Sequence, residues 1–271
     1  EYPRYEDPLM KYLLFITLIA CGHNKPHSST PSQALGAKAA IYTSLVTSVQ
    51  DASGFVDTDE CDSLMHSALL GAGGAHVNVV AAEDPAVPGR FYRRPTAYPE
   101  CHAAGASRST ISRDMLLGVF WHAWVTRDRA VLERIWTYGK SRNWVMGEDR
   151  IGGAHTVMTP VLLGTLAKLI ERLGGPARAE QHNPSLWGSC EGYECQLAIL
   201  QILLRGELWG FISDDAKAAL AKAAQRQTTN PLAQYAWHKY ADGKQDETIG
   251  LLLDLPRYPK DRLPTSADVC D

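Results

Sequence analysis

The sequence predicts an all-α protein, on three observations. From residue 34 onward apolar residues recur at helical spacing, i, i+3, i+4, i+7, in one segment after another. Residues suited to capping precede many of these segments, and Gly or Pro closes several of them. No stretch alternates apolar and polar residues convincingly enough to read as a strand.

Residues 35–50 read as one helix. A second starts near Thr58 or Asp59 and sets Leu64, Met65, Ala68 and Leu69 on one face. Ser112 can cap a third, in which Leu117, Phe120, Trp121 and Trp124 follow the helical pattern. Asp128 can cap a fourth, with Val131, Ile135 and Tyr138 inward. Thr159-Pro160 supplies a cap followed by proline at the first helical position, and Gly174-Gly175-Pro176 stops that helix. Further helices fall at 191–205, at 214–226 behind Ser213, at 231–241 behind Asn230-Pro231, and at 245–254 before Pro256. Two segments break the rhythm: a Gly/Pro/Ala-rich connection at 72–111, and a shorter one at 143–158 with Gly147, Gly152 and Gly153. Loops of that length are usually functional or floppy, and the Arg, His and aromatic residues in both favour function.

The chain has 271 residues, with 27 Lys+Arg against 30 Asp+Glu for a net charge of −3. Hydrophobic residues make up 45%, too many for a disordered chain. The near-neutral balance argues against a general nucleic-acid binder, which needs a basic excess. Residues 1–9 read as an upstream stub without structural meaning. Residues 10–21, from Met10-Lys11 through an apolar run to Cys21, have the layout of a secretory signal peptide too short to span a bilayer. The alternative is a buried apolar strand or helix. Leu18-Ile19-Ala20-Cys21 resembles a bacterial lipobox, which implies lipid on Cys21 and a membrane-anchored protein facing the periplasm or the cell exterior. Residues 22–33, rich in Ser, Pro, His and Asn, read as a flexible tether.

An exported chain meets an oxidising compartment, where cysteines pair. Cys190 and Cys195 bracket a small ring, Cys61 and Cys101 make the natural second pair, and Cys270 is left over, as if its partner lay beyond Asp271. Zinc is the competing explanation, but no CxxC or HxxxH spacing supports it.

Residues 112–135 resemble a helical hairpin of the (α/α) toroid carbohydrate-active enzymes. The shared features are a polar start to the inner helix, a small-plus-aromatic inner face, the turn Thr126-Arg127-Asp128, and a second amphipathic helix. The resemblance extends over residues 55–255 and contains no diagnostic catalytic motif. It implies a single toroid-like domain over 34–271, left incomplete by about nine helices, and a polysaccharide or other glycan as the partner.

Three constellations could carry chemistry. In Asp59-Glu60-Cys61-Asp62-Ser63-Leu64-Met65-His66, Asp62 and His66 stand at i, i+4, so they form either an acid/base pair or a capping cluster with a partly buried histidine. Asp114, beside Arg113 and near Arg108, is either an ionised base or nucleophile or half of a structural ion pair. Asp62 and Asp114 together would supply the two carboxylates of a glycosidase. The third is the loop Arg90-Phe91-Tyr92-Arg93-Arg94, with His102 following: guanidinium groups pair with uronate carboxylates while rings stack on the sugar. In a lyase, Arg would neutralise the carboxylate and His or Tyr would take the C5 proton; the alternative is a solvated loop. The expected substrate-binding set is therefore Tyr92, Arg93, Arg94, Arg108 and Arg113, with Trp121 and His122 of the inner helix.

Other signals are fainter. Asp51 to Glu60 resembles the middle and end of a calcium-binding EF-hand loop, but Val49 at the first ligand position has no side-chain oxygen. Trp144 to His155 (with Asp149 and Arg150) and Glu191-Gly-Tyr193-Glu194 are minor clusters, and Trp237, His238 and Tyr240, on one helix, suit packing or a rim more than catalysis. Nucleophile-elbow, P-loop, dinucleotide and HExxH motifs are absent from the sequence. The function expected is that of an exported lipoprotein acting on a polysaccharide as hydrolase or lyase, with non-catalytic binding of a glycan or partner protein as the alternative.

Overall fold

The computed structural model describes residues 36, 39–40, 43–44, 46–56, 62–96, 111–148, 155–178 and 192–254, and it is mostly helical. The described residues of 36–49 are helical, and the hydroxyls of Thr43 and Thr47 donate to carbonyls one turn back, Ala39 and Thr43. Then follow α1 (Ser63–Ala72), a 3-10 turn (Val79–Ala82), α2 (Arg113–Thr126), α3 (Arg129–Ser141), β1 (Val145–Glu148), β2 (His155–Val157), α4 (Pro160–Arg172), α5 (Gly192–Trp209), α6 (Asp214–Arg226), α7 (Pro231–Trp237), a π-helical turn (His238–Asp242) and α8 (Gln245–Asp254). Among the described residues no helix is long and apolar enough to cross a membrane.

Four helices start where the sequence places a cap. The side chains of Asp128, Thr159, Ser213 and Asn230 each accept a backbone N–H of the first turn, from Val131, Leu162, Ala216 and Leu232. Ser112 also precedes its helix, but its hydroxyl makes no capping bond. It is engaged elsewhere.

One apolar core runs through all these helices, and Trp121, Tyr235, Phe55 and Phe120 are among its largest members. Its densest contact is α1 on α2. The two run parallel: Met65 lies against Gly118, and Gly71 lies against His122. Small residues at both places allow the backbones to approach closely. A two-residue turn then reverses the chain from α2 into α3, with Arg127 left-handed at φ 62°.

One expectation needs correction. The region 143–158 is not simply a connection, because β1 and β2 pair antiparallel, with Val145 opposite Val157 and Glu148 opposite His155 and an irregularity between Val145 and Gly147. The ladder is too short and too irregular to leave an alternating signature. It starts from a left-handed turn at Asn143 (φ 51°) and Trp144 (φ 65°), held where the Trp144 amide donates to the Gly139 carbonyl at 2.7 Å. The described part of 72–111, for its part, is pinned to the helices. Buried Glu83 accepts the Gly89 amide at 2.6 Å and grips Arg134 of α3 through two bonds of 2.7 Å. Gly89 is obligatory there: its φ is +86°, and a Cβ would stand 2.1 Å from the Arg134 carbonyl oxygen.

Candidate functional site

Parallel packing brings the N-terminal ends of α1 and α2 together, and Arg93 joins them. Arg93 arrives on the pinned loop, whose backbone is tied to α1 by the Leu64 amide donating to the Arg93 carbonyl at 2.7 Å. Its guanidinium bonds the Asp62 carboxylate at the head of α1 and, at 2.8 Å, the Ser112 hydroxyl at the head of α2. Arg93 is 3% exposed and Asp62 6%. The hydroxyl that would have capped α2 thus becomes an acceptor for a buried cation.

Arg113 and Asp114 follow in the first turn of α2, both half-buried. The Arg113 Nε donates to the Val157 carbonyl of β2 at 3.3 Å, and the Thr156 hydroxyl donates to the Ile111 carbonyl, so the hairpin is fastened to the same end. Arg94 lies half-buried next to Arg93 in the chain, and His66 lies half-buried one turn along α1, its amide bonded to the Asp62 carbonyl at 3.2 Å. Two parallel helix N-termini direct partial positive charge to this end. With Arg93, Arg94 and Arg113 set against Asp62 and Asp114, the end as a whole suits an anionic ligand.

The geometry separates roles that the sequence left together. Asp62, expected as a shielded acid, is instead the anionic partner of a buried guanidinium. Tyr92, expected to face a sugar, is buried, and its hydroxyl donates to Asp84 at 2.6 Å with Arg90 over its ring at 5.2 Å. That bond is the largest influence on Asp84; burial opposes it, but it and nearby backbone amides leave the carboxyl below its ordinary range. Trp121 and His122 also move inward. Trp121 is 1% exposed and its indole N–H donates to the Leu200 carbonyl at 3.0 Å, so it is core, not a sugar platform. His122 is buried against Gly71, and burial pushes its imidazole below its ordinary value, against the pull of Asp128.

Several expected residues fall outside the described residues: Cys21, Cys61, Cys101, Cys190 and Cys270, with His102, Arg108, Asp149, Arg150 and the carboxylates Asp57, Asp59 and Glu60 of the calcium-like segment. Within that segment Asp51 closes a turn, its Oδ1 accepting the amides of Ser53 and Phe55 at 2.8 Å each. Among the described residues no group of three or more His, Cys, Asp or Glu gathers as a metal would require. Cys195 is fully buried and disulfide-bonded.

The sequence placed His238 among packing or rim residues and passed over its carboxylate partners. His238, buried in the π-turn, sets Nδ1 2.5 Å from the Asp242 carboxylate, while Nε2 stands 3.5 Å from Glu247 of α8. Burial works to raise the Asp242 pKa, but the His238 bond and the Lys244 amide outweigh it and leave the carboxyl below its ordinary value. Next to it, Lys239 bonds Glu207 of α5 at 2.6 Å and the Tyr235 hydroxyl at 3.0 Å. The i, i+4 spacing of His238 and Asp242 was the available signal. With its ring buried, the cluster ties the π-turn to α8.

Compared with known protein families, curated proteins and solved structures, the chain matches none of them.

Proposed function

We propose that this chain is an exported, lipid-anchored helical protein that engages an acidic polysaccharide at the paired N-terminal ends of α1 and α2. One observation carries the reading: Arg93 clamps Asp62 to Ser112, which puts Arg113 and Asp114 at the same cationic end of the fold. Guanidinium groups match the planar, two-oxygen carboxylate of a uronate, and helix N-termini add to the attraction. The parallel α1 and α2 and the tight reversal into α3 are compatible with hairpins arranged as a toroid. Disulfide-bonded Cys195 suits the oxidising compartment that a lipidated Cys21 implies.

Where chemistry accompanies binding, elimination is favoured over hydrolysis. A two-carboxylate hydrolase needs a protonated acid, and Asp62 is committed to Arg93 as an anion. Elimination asks only for a cation on the uronate carboxylate and a base near C5. Arg113 fits the first role, and Asp114 or His66 fits the second. The base takes the C5 proton, C4 and C5 become doubly bonded, and the C4–O bond breaks as the leaving oxygen accepts a proton.

The test uses full-length protein, first confirmed to incorporate labelled fatty acid at Cys21, against uronate-rich and neutral polysaccharides. Retarded migration in uronate-rich gels only, lost in Arg113→Met, is the expected result. Absorbance of unsaturated uronate marks elimination, reducing ends without it mark hydrolysis, and retardation alone marks a binding protein. No retardation by any polymer would overturn the proposal, and absence of label would remove the lipid anchor from it.

A further inference from the structure

The turn that leads out of α3 carries an aromatic residue in a conformation that aromatic residues avoid. Among the described residues other than glycine, only Arg127, Asn143 and Trp144 have a left-handed backbone. Arg127 and Asn143 are polar, and asparagine enters that region readily. A bulky ring does not, and such outliers cluster at active sites and ligand clamps. The surroundings that impose it here are specific. The Trp144 ring lies on Gly139 of α3, where an added Cβ would stand 2.7 Å from its Cε3, so α3 forgoes a better helix former to seat it. Trp136 meets Trp144 edge to face, with ring centroids 4.9 Å apart and planes at 71°. The Arg178 guanidinium lies 4.0 Å from the Trp136 centroid and pairs with Glu133, which holds Trp136 in turn.

Packing alone does not account for this arrangement. Glycine or asparagine would take the left-handed position with little strain. The indole installed there is also not sealed in the core as Trp121 is; it stays half-buried, open to solvent without need of a cavity. One peptide unit at the end of the hairpin fixes where the ring stands. The Met158 amide donates to the Trp144 carbonyl at 2.9 Å, and the carbonyl of the same unit, on Val157, accepts the Arg113 Nε at 3.3 Å. Trp144 and Arg113 thus flank a single peptide, a partly exposed ring beside a cation.

We propose that Trp144 is a stacking platform for a pyranose ring of the acidic polysaccharide, next to the sugar whose carboxylate Arg113 engages. The indole offers a flat apolar surface to the C–H face of the sugar, and Trp136, braced by Arg178, holds it at a fixed angle. A ring already held in place loses little freedom when the sugar arrives, which is what the strained turn supplies. The platform rests on the polysaccharide reading above and adds to it a neutral contact that reads the ring, beside the cation that reads the charge.

The experiment titrates the full chain with an oligogalacturonate by calorimetry at low and high sodium chloride, and follows tryptophan emission separately. Salt screens an ion pair but not a stacked ring. Trp144→Asn, which suits the left-handed position, is expected to weaken binding about tenfold at both salt concentrations. Trp144→Phe keeps a ring and should lose no more than about threefold. Arg113→Met, by contrast, should lose affinity mainly at low salt and flatten the salt dependence. The parent's emission should shift on saturation with ligand, and that shift should vanish in Trp144→Asn. Where Trp144→Asn lowers Tm as well as affinity, the parent's emission decides, because a ring that only braces the hairpin would not report the ligand. Parental affinity in Trp144→Asn, or parental emission unmoved at saturation, would overturn the platform and leave the polysaccharide reading standing. No binding by the parent would overturn both.

Discussion

A guanidinium that is almost inaccessible to water must find its compensation inside the protein, and Arg93 finds it in Asp62 and the Ser112 hydroxyl. The arrangement is asymmetric in its consequences. Removing both charges from such a pair is often neutral, whereas removing one strands the other in low dielectric. Asp62→Asn is therefore expected to cost about 3–5 kcal/mol of unfolding free energy. A joint Asp62→Leu, Arg93→Met replacement should recover most of that loss. Urea denaturation of the two proteins beside the parent checks both statements, and a mild Asp62→Asn would mean that water reaches the pair. The same logic explains why Arg93→Lys is no conservative change. An ammonium cannot present the planar fork that meets a carboxylate and a hydroxyl at once.

At the scale of elements, contacts between helices depend on where the chain has no side chain. Gly118 lets α2 lie against the Met65 backbone, with an added Cβ only 3.0 Å from the Met65 Cα and carbonyl oxygen. Gly206 does the same for α5 and the π-turn, since a Cβ there would come 1.9 Å from the Tyr240 hydroxyl and 2.4 Å from its Cζ. Alanine inside a helix is worth up to about 1 kcal/mol over glycine. Overpacking of this kind typically costs about 1–3 kcal/mol, so the clash should win. Gly206→Ala is expected to destabilise the parent by that amount but to become neutral or stabilising in a Tyr240→Leu background. A double-mutant cycle measured by chemical denaturation exposes the coupling, and simple additivity of the two changes would refute the contact.

Across the whole molecule, what could be read from the sequence was local, and what could not was long-range. Asp128, Thr159, Ser213 and Asn230 cap their helices because a cap needs only the next three residues. Ser112 belongs to the same residue class, yet its hydroxyl serves an arginine 19 residues away. Trp121 and His122 suited a sugar-binding face because α2 is apolar on nearly every side, which hides the direction of the core. Only the bond from Trp121 to Leu200, across 79 residues, shows which way it points. His122 entered the core with it, and this has a consequence for the whole fold. Its folded pKa lies below the ordinary 6.5 because burial disfavours the imidazolium. The unfolded chain therefore takes up a proton in acid before the native state does. Its contribution to stability is complete above about pH 6.5 and is lost as pH falls through the depressed folded value. The Tm of the parent should accordingly drop between neutral pH and about pH 5 more steeply than that of His122→Gln, which has no proton to gain there. Parallel Tm-against-pH curves for the two proteins would show that His122 does not set this acid lability.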